Sequence, residues 1–153
     1  MGYVFQINIS KGGVPKLSIT EAQVGELGIM GDKQKDRRYH GGLDRALCLF
    51  SLEEIEKLKQ EGHPIYPGST GENLTISLQG YSQLQTGDVL KIGGEVVIEI
   101  TSYTAPCKTI QDSFVDHKFK RMSQKLFPGS SRLYAKVLVT GKIRQGDKIE
   151  KVQ

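Results

Sequence analysis

Apolar and polar residues alternate along much of this chain, and a period of two predicts half-buried β-strands. Strands are predicted in this way at residues 5–9 and 73–78, and apolar segments at residues 89–92, 96–100 and 133–139 predict further strands. Gly93-Gly94 separates two of these segments and is typical of a hairpin turn. The pattern therefore predicts a mostly antiparallel β-structure.

Two segments depart from this alternation and predict helices. In residues 51–62, Ser51 and Glu54 form a capping box, and Gly62 suits the left-handed position that ends a helix. In residues 112–127, apolar side chains recur at intervals of three and four before Pro128-Gly129. The predicted fold class is mainly β, a barrel with a few peripheral α-helices.

Length and composition favour one domain, residues 1–153, of ordinary globular type, with 37% hydrophobic and 25% charged residues. The two cysteines indicate a reducing compartment rather than a disulfide-rich scaffold. No signal peptide and no apolar run of the ~20 residues that a membrane span requires is found, so we expect a cytoplasmic protein without a membrane partner. The net charge of +4 and the 7% aromatic content are too low to predict nucleic-acid binding.

The most polar stretch, residues 31–46, contains five lysines or arginines and three aspartates. Arg37, Arg38 and Arg45 carry forked donors suited to phosphate oxygens, and the backbone of Gly41-Gly42 can approach a ligand closely. The segment is not a P-loop, because no Gly-Lys-Ser/Thr ending is present. Two interpretations stay open: an anion-binding loop, or a solvated and salt-bridged surface loop.

The two cysteines have different sequence surroundings. Cys48 lies among apolar residues and is predicted to be buried and unreactive. Cys107 follows a predicted strand and Pro106 and precedes Lys108, a position typical of a reactive thiolate or metal ligand, although an ordinary loop cysteine remains an alternative. We expect no disulfide between them. The histidine and cysteine spacings do not match a zinc site.

Four motifs in order resemble the MOSC family, the domain named for the C-terminus of molybdenum cofactor sulfurase. They are His40-Gly41-Gly42-Leu43-Asp44-Arg45-Ala46, then Gly71-Glu72-Asn73-Leu74, then Gly87-Asp88-Val89-Leu90-Lys91-Ile92-Gly93, then Pro106-Cys107. A late strand with Tyr134 and the segment Gly146-Asp147-Lys148-Ile149 extend the likeness over essentially the whole chain. The resemblance implies a MOSC-type β-barrel that binds molybdenum cofactor.

The resemblance also implies roles for individual residues. Cys107 corresponds to the family's cysteine and is expected to be catalytic and to coordinate molybdenum or carry sulfur. The residues expected to contact the cofactor are Arg37, Arg38, His40, Gly41, Gly42, Asp44, Arg45, Glu72, Asn73 and Lys108. No iron–sulfur cysteine cluster and no pyridoxal-phosphate desulfurase domain is expected in the chain, so electrons or sulfur come from a separate electron donor or cysteine desulfurase.

Two functional hypotheses follow. The first is a stand-alone cofactor-binding protein, either a reductase of N-hydroxylated compounds or a sulfur carrier for metal–sulfur cofactor assembly. The second is a non-catalytic binding or interaction module that retains the MOSC fold. Whether the protein is an enzyme stays open at this stage.

Overall fold

A computed structural model describes residues 1–10, 13–32 and 42–152 of the chain. In these residues the one α-helix is α1, Leu52–Gln60, and it is accompanied by short 3₁₀ turns. None of the described helices is long and apolar enough to span a membrane. The strands are β1 Gly2–Ile9, β2 Leu17–Ile19, β3 Glu21–Gly25, β4 Gly28–Ile29, β5 Leu47–Ser51, β6 Leu74–Leu78, β7 Val89–Ile92, β8 Val96–Thr104, β9 Arg132–Val139, β10 Gly141–Arg144 and β11 Lys148–Lys151.

Seven of the described strands form a closed barrel in the order β11-β7-β8-β9-β5-β6-β1, and β1 pairs back onto β11. Neighbouring strands are antiparallel except β5 and β6, which are parallel and are connected through α1. At the closure Gly2 lies opposite both Ile149 and Leu78. A Cβ atom at Gly2 would lie 2.1 Å from the carbonyl oxygen of Ser77, so this crowded corner requires glycine. The predicted β-barrel is confirmed.

The barrel interior is filled by the apolar half of each alternating strand. Residues such as Ile7, Ile76, Ile92 and Ile98 have no solvent-exposed surface. The hairpin predicted at Gly93-Gly94 is confirmed, with Ile92 paired to Val96. Alternation therefore identified the core side of the strands, because one face of each strand packs inside the barrel.

Helix α1 forms as the capping pattern predicts. The Ser51 hydroxyl accepts a hydrogen bond from the Glu54 backbone N–H at 3.1 Å, Ile55 and Leu58 pack into the core, and Gly62 has a φ of 99°. This part of the helix prediction is confirmed.

The second predicted helix, residues 112–127, is wrong. The region is built from three 3₁₀ turns, Lys108–Ser113, Val115–His117 and Phe119–Met122. Asp116 and His117 have φ angles of 55° and 56°, values incompatible with a continuous right-handed helix. Phe114 and Met122 still reach the core from this irregular path. Phe119 also packs against the core, whereas Val115 and Leu126 are exposed, so the apolar spacing of three and four did not mark one buried helix face.

Candidate functional site

A group of buried residues with polar side chains lies where β5, β8 and β9 run side by side. Cys48 of β5 lies opposite Tyr134 of β9, and Arg132 of β9 lies opposite Thr104 of β8. Because side chains two residues apart share a face of a strand, Arg132 and Tyr134 lie on the same face as Cys48. The Cys48 Sγ lies 3.8 Å from the Thr104 Oγ1, in agreement with this arrangement. We call this face, defined by Cys48, Thr104, Arg132 and Tyr134, the polar strand face.

Cys48 is a buried free thiol, as predicted. Burial raises the pKa of its thiol, and the positive charge of Arg132 opposes that rise only in part. Desolvation disfavours the thiolate, so Cys48 stays protonated at neutral pH and is a poor nucleophile.

Cys107 lies on the loop that follows β8 and is partly exposed. Its Sγ lies 3.0 Å from the Thr109 hydroxyl, and the adjacent Lys108 is exposed and begins a 3₁₀ turn. Both cysteines are free, so the expected absence of a disulfide is confirmed. The loop thus presents an accessible thiol next to the polar strand face.

Arg45 reaches this region from the other side. Gly42 has a φ of 93° and begins the 3₁₀ turn Leu43–Arg45, and the exposed Asp44 contributes its backbone carbonyl to a hydrogen bond from Thr101 at 2.5 Å. The Arg45 guanidinium stacks 5.2 Å from the centre of the Tyr134 ring. Burial raises the pKa of Tyr134 to about 12, while the charges of Arg132 and Arg45 act in the opposite direction. Tyr134 is therefore a neutral phenol at physiological pH.

Four residues of the expected site, Arg37, Arg38, His40 and Gly41, lie outside the described residues. Their expected contact with a cofactor stays a prediction.

Glu72 is fully buried at the entrance to β6. Its carboxylate accepts hydrogen bonds from the Gly68 N–H at 2.9 Å, the Thr70 hydroxyl at 2.8 Å and the Thr75 hydroxyl at 2.8 Å. These bonds hold together the turn that precedes β6. The hydrogen-bond partners of the Glu72 carboxylate are thus residues close to it in the sequence.

Asn73 connects this turn to β5. Its backbone N–H donates to the Cys48 carbonyl at 2.7 Å, its Oδ1 accepts from the Cys48 N–H at 2.9 Å, and its Nδ2 donates to Asp32 at 2.7 Å. Asp32 is in turn held by Lys16, with Nζ–Oδ distances of 2.5 Å and both side chains at most 5% exposed. Sequence reasoning missed Lys16 because an isolated lysine after Pro15 carries no recognisable signal.

Arg132 is the other residue that sequence reasoning missed, and it is 4% exposed. Its Nη1 donates to the Thr70 carbonyl at 2.7 Å and its Nη2 to the Ala105 carbonyl at 3.4 Å. Its Nε is buried and has no hydrogen-bond partner among the described residues. The available signal was alternation, because Arg132 and Tyr134 interleave with the core residues Leu133 and Ala135.

A potential metal site made of protein ligands alone, with three or more His, Cys, Asp or Glu residues, is not present among residues 1–10, 13–32 and 42–152.

Comparison with known proteins supports one assignment. The family model of the MOSC domain matches residues 36–150. This chain belongs to the MOSC family. The resemblance carried by the four sequence motifs is thereby confirmed.

Curated relatives include the protein YiiM of Escherichia coli (strain K12), 30% identical over 61% of this chain and 43% of that protein. A protein named reductase from Gibberella moniliformis is 28% identical over 80% of this chain and 22% of that protein. The uncharacterised protein YflK of Bacillus subtilis (strain 168) is 28% identical over 78% of this chain and 53% of that protein. The matched regions thus span about half or less of each relative.

Solved structures have the same fold. A crystal structure of a hypothetical protein superposes with a TM-score of 0.79 at 27% identity, covering 100% of this chain and 69% of that one. The structure of YiiM from Geobacillus stearothermophilus gives a TM-score of 0.77 at 21% identity, covering 100% of this chain and 76% of that one. YUAD from Bacillus subtilis gives 0.75 at 18% identity, covering 97% and 94%. The last two show the fold alone.

Proposed function

We propose that this MOSC protein binds molybdenum cofactor beside the polar strand face, with the Cys107 thiol as the reactive ligand or sulfur carrier. The observation that carries the proposal is the accessible Cys107 thiol on the loop whose Ala105 carbonyl accepts from Arg132, with Arg45 stacked on Tyr134 of the same face. Family membership supports the same ligand, because the MOSC domain matches most of the chain.

The residues present fit such a group in chemical terms. The molybdenum of the cofactor can be coordinated by a soft thiolate ligand. Cys107 supplies such a ligand when its thiol is deprotonated. The cofactor is anionic, and Arg132 is a buried cation whose Nε has no partner within the described residues. Buried polar groups are normally satisfied, so an orphaned guanidinium edge is a place for an anionic ligand.

Each side chain of the site has a role in binding the cofactor that follows from its charge. When bound, the cofactor supplies two-electron redox chemistry at its metal. Cys107 holds the reactive sulfur, and the exposed Lys108 beside it supplies a positive charge toward the anionic cofactor. Arg45, the turn at Gly42 and Asp44, and the preceding Arg37, Arg38, His40 and Gly41 bind the anionic portion. Tyr134 stays protonated, since burial raises its pKa to about 12.

Glu72 and Asn73 support this site through the backbone. Glu72 holds the turn that carries Thr70, whose carbonyl accepts from Arg132. Asn73 fixes the backbone of Cys48 on both its N–H and its carbonyl. We therefore propose that both act mainly by positioning the polar strand face.

Two reactions fit this site. Reduction of an N-hydroxylated compound breaks the N–O bond, consumes two electrons and two protons, and releases water, with electrons from a separate donor. Sulfur carriage instead needs a desulfurase partner that carries a persulfide on its own cysteine. The Cys107 thiolate attacks the outer sulfur of that persulfide, the S–S bond of the donor breaks, the donor thiolate leaves, and Cys107 becomes the persulfide. The relative named reductase favours the first reaction.

The test is cofactor content in protein purified from a host that makes molybdenum cofactor. Wild type is expected to contain molybdenum and pterin, Cys107→Ser to lose molybdenum, and the control Arg144→Gln, at an exposed residue outside the site, to keep both. Wild type without molybdenum or pterin would refute the proposal and favour a non-catalytic interaction module. Persulfide formation on Cys107 after incubation with a cysteine desulfurase, measured against reduction of an N-hydroxylated base, separates the two reactions.

A further inference from the structure

Arg132 and Arg121 use their guanidinium groups differently. Arg121 binds the Glu61 carboxylate with the edge formed by Nε and Nη2, at 2.9 and 2.8 Å. On Arg132 the same edge meets no carboxylate of the described residues: Nε has no partner, and Nη2 reaches only the Ala105 carbonyl at 3.4 Å. That distance lies beyond the usual range of about 2.7–3.2 Å, so the contact is weak. The edge best shaped for an oxyanion therefore makes one long hydrogen bond through Nη2 and none through Nε.

The two buried carboxylates of the hydrogen-bond network around the polar strand face, those of Glu72 and Asp32, have other hydrogen-bond partners. The Glu72 carboxylate accepts from Gly68, Thr70 and Thr75, and Asp32 is bound by Lys16 and Asn73. The remaining neighbours on the polar strand face, Cys48 and Tyr134, are neutral because burial raises the pKa of each group. Among the described residues, no carboxylate is hydrogen-bonded or ion-paired to the Arg132 guanidinium, and its Nε is left without a partner. A buried donor without an acceptor costs free energy, and a bound anion would offset that cost.

We propose that Arg132 is an anion-binding residue of this site and that its ligand is a phosphate monoester, bound in bidentate fashion by Nε and Nη2. Bidentate recognition suits the paired oxygens of phosphate. Ala105, whose carbonyl lies near Nη2, is two residues before Cys107. The anion therefore lies against the same loop as the reactive thiol.

The proposal rests on the proposed function in one respect, because the phosphate in question is that of the bound cofactor. Arg45 provides a second cation nearby, since both arginines act on the pKa of Tyr134. A phosphate monoester carries a charge of about −1.5 to −2 near neutral pH, so two arginines balance it.

Inorganic phosphate is the probe, with sodium chloride at matched ionic strength as the reference. Phosphate is expected to raise the melting temperature of wild type, and Arg132→Gln to abolish that increment. Arg132→Lys should retain part of it, because the charge remains while the fork is lost. The matched control is Arg144→Gln, since Arg144 is an exposed arginine paired with Glu21. It should behave as wild type.

Titration calorimetry is expected to show phosphate binding weakened about tenfold or more in Arg132→Gln, the effect of a lost charge-assisted contact. In wild type, the Nε–H resonance of Arg132, assigned by its absence in Arg132→Lys, should shift on phosphate addition. This measurement keeps the test valid if Arg132→Gln fails to fold.

The proposal is overturned if phosphate does not stabilise wild type beyond chloride, if Arg132→Gln keeps the full increment, or if the Nε–H resonance does not respond. Phosphate binding that depends on Arg132, in a protein that lacks molybdenum and pterin, would support the anion site and refute the cofactor assignment. Cofactor loading that is equal in wild type and Arg132→Gln would refute the role of Arg132 toward the cofactor while leaving the cofactor assignment intact.

Discussion

Cys48 and Cys107 carry the same functional group in different dielectric surroundings. Cys48 is buried on β5, and burial raises its thiol pKa. Cys107 lies on a loop and is partly exposed. A thiolate is the reacting species in alkylation, so reactivity follows this difference.

Native protein treated with a thiol-specific alkylating reagent is expected to label at Cys107 well before Cys48. The rates are measured by mass spectrometry of timed samples, with Cys107→Ser and Cys48→Ala identifying each site. Two thiols that react at equal rates in the folded protein would contradict the assignment.

Arg45 stacks on Tyr134, which fixes its direction toward the polar strand face. Arg45→Ala is expected to weaken cofactor binding by roughly 1.5 to 3 kcal/mol, the loss of a charge-assisted contact. Affinity and melting temperature are measured together for Arg45→Ala and for the neighbouring variant Asp44→Asn. Unchanged affinity combined with a clear loss of stability would make the loop a scaffold rather than a binding element.

At the scale of elements, the turn before β6 is organised by one buried carboxylate. Glu72 accepts three hydrogen bonds from residues 68–75. An amide in its place offers one acceptor oxygen and presents an NH₂ group to donors. The turn, and with it the Thr70 carbonyl that contacts Arg132, depends on this charge.

Glu72→Gln is expected to lower the free energy of unfolding by about 1.5–3 kcal/mol, because hydrogen bonds to a buried charged group are lost. Chemical denaturation measures the change, and Glu56→Gln on the solvent side of α1 is the control. Stability like that of wild type, together with lost cofactor binding, would show that Glu72 binds the ligand directly.

A second element-scale contact joins α1 to the 3₁₀ turns. The hydrogen bond from Arg121 lowers the pKa of the Glu61 carboxyl. A lowered folded-state pKa stabilises the fold above the unfolded pKa of about 4.3 and ceases to do so as pH falls through the folded value. Glu61→Gln should therefore reduce stability near neutral pH, by no more than about 1 kcal/mol for a partly exposed pair, and converge with wild type in acid. Equal differences at pH 7 and pH 3 in denaturation curves would contradict this.

At the scale of the whole molecule, the barrel depends on pairing between the two ends of the chain. Ile149 of β11 pairs with Gly2 of β1 and Ile92 of β7, and it has no exposed surface. Its side chain thus lies at the joint that closes the ring.

Ile149→Ala is expected to cost about 2–5 kcal/mol of unfolding free energy, the usual range for a truncated core residue. Val152→Ala, on a half-exposed side chain near the same end, should change stability by no more than about 0.5 kcal/mol. Denaturant unfolding measures both. Equal effects of the two substitutions would show that the closure contributes little.

Local patterns were sufficient for several elements of this protein. The apolar segments on either side of Gly93-Gly94 predict β7 and part of β8, the Ser51–Glu54 box predicts α1, and apolar neighbours predict the burial of Cys48. Each of these depends on residues within one strand or one helical turn. The ordered motifs were likewise enough to place the chain in the MOSC family.

Tertiary structure alone decided the rest. The closure of β1 on β11, the turns that replace a helix at residues 112–127, and the unpaired edge of Arg132 all depend on contacts between distant segments. The two-residue period of a strand predicts that Arg132 and Tyr134 lie on the same face of β9. It does not predict that the carbonyls of Thr70 and Ala105 lie within reach of the Arg132 guanidinium. The direction in which side chains alternate is a local property of the backbone, so it can be read from a short segment. Strand pairing and burial depend instead on contacts between segments that are far apart in the sequence, and these exist only in the folded barrel.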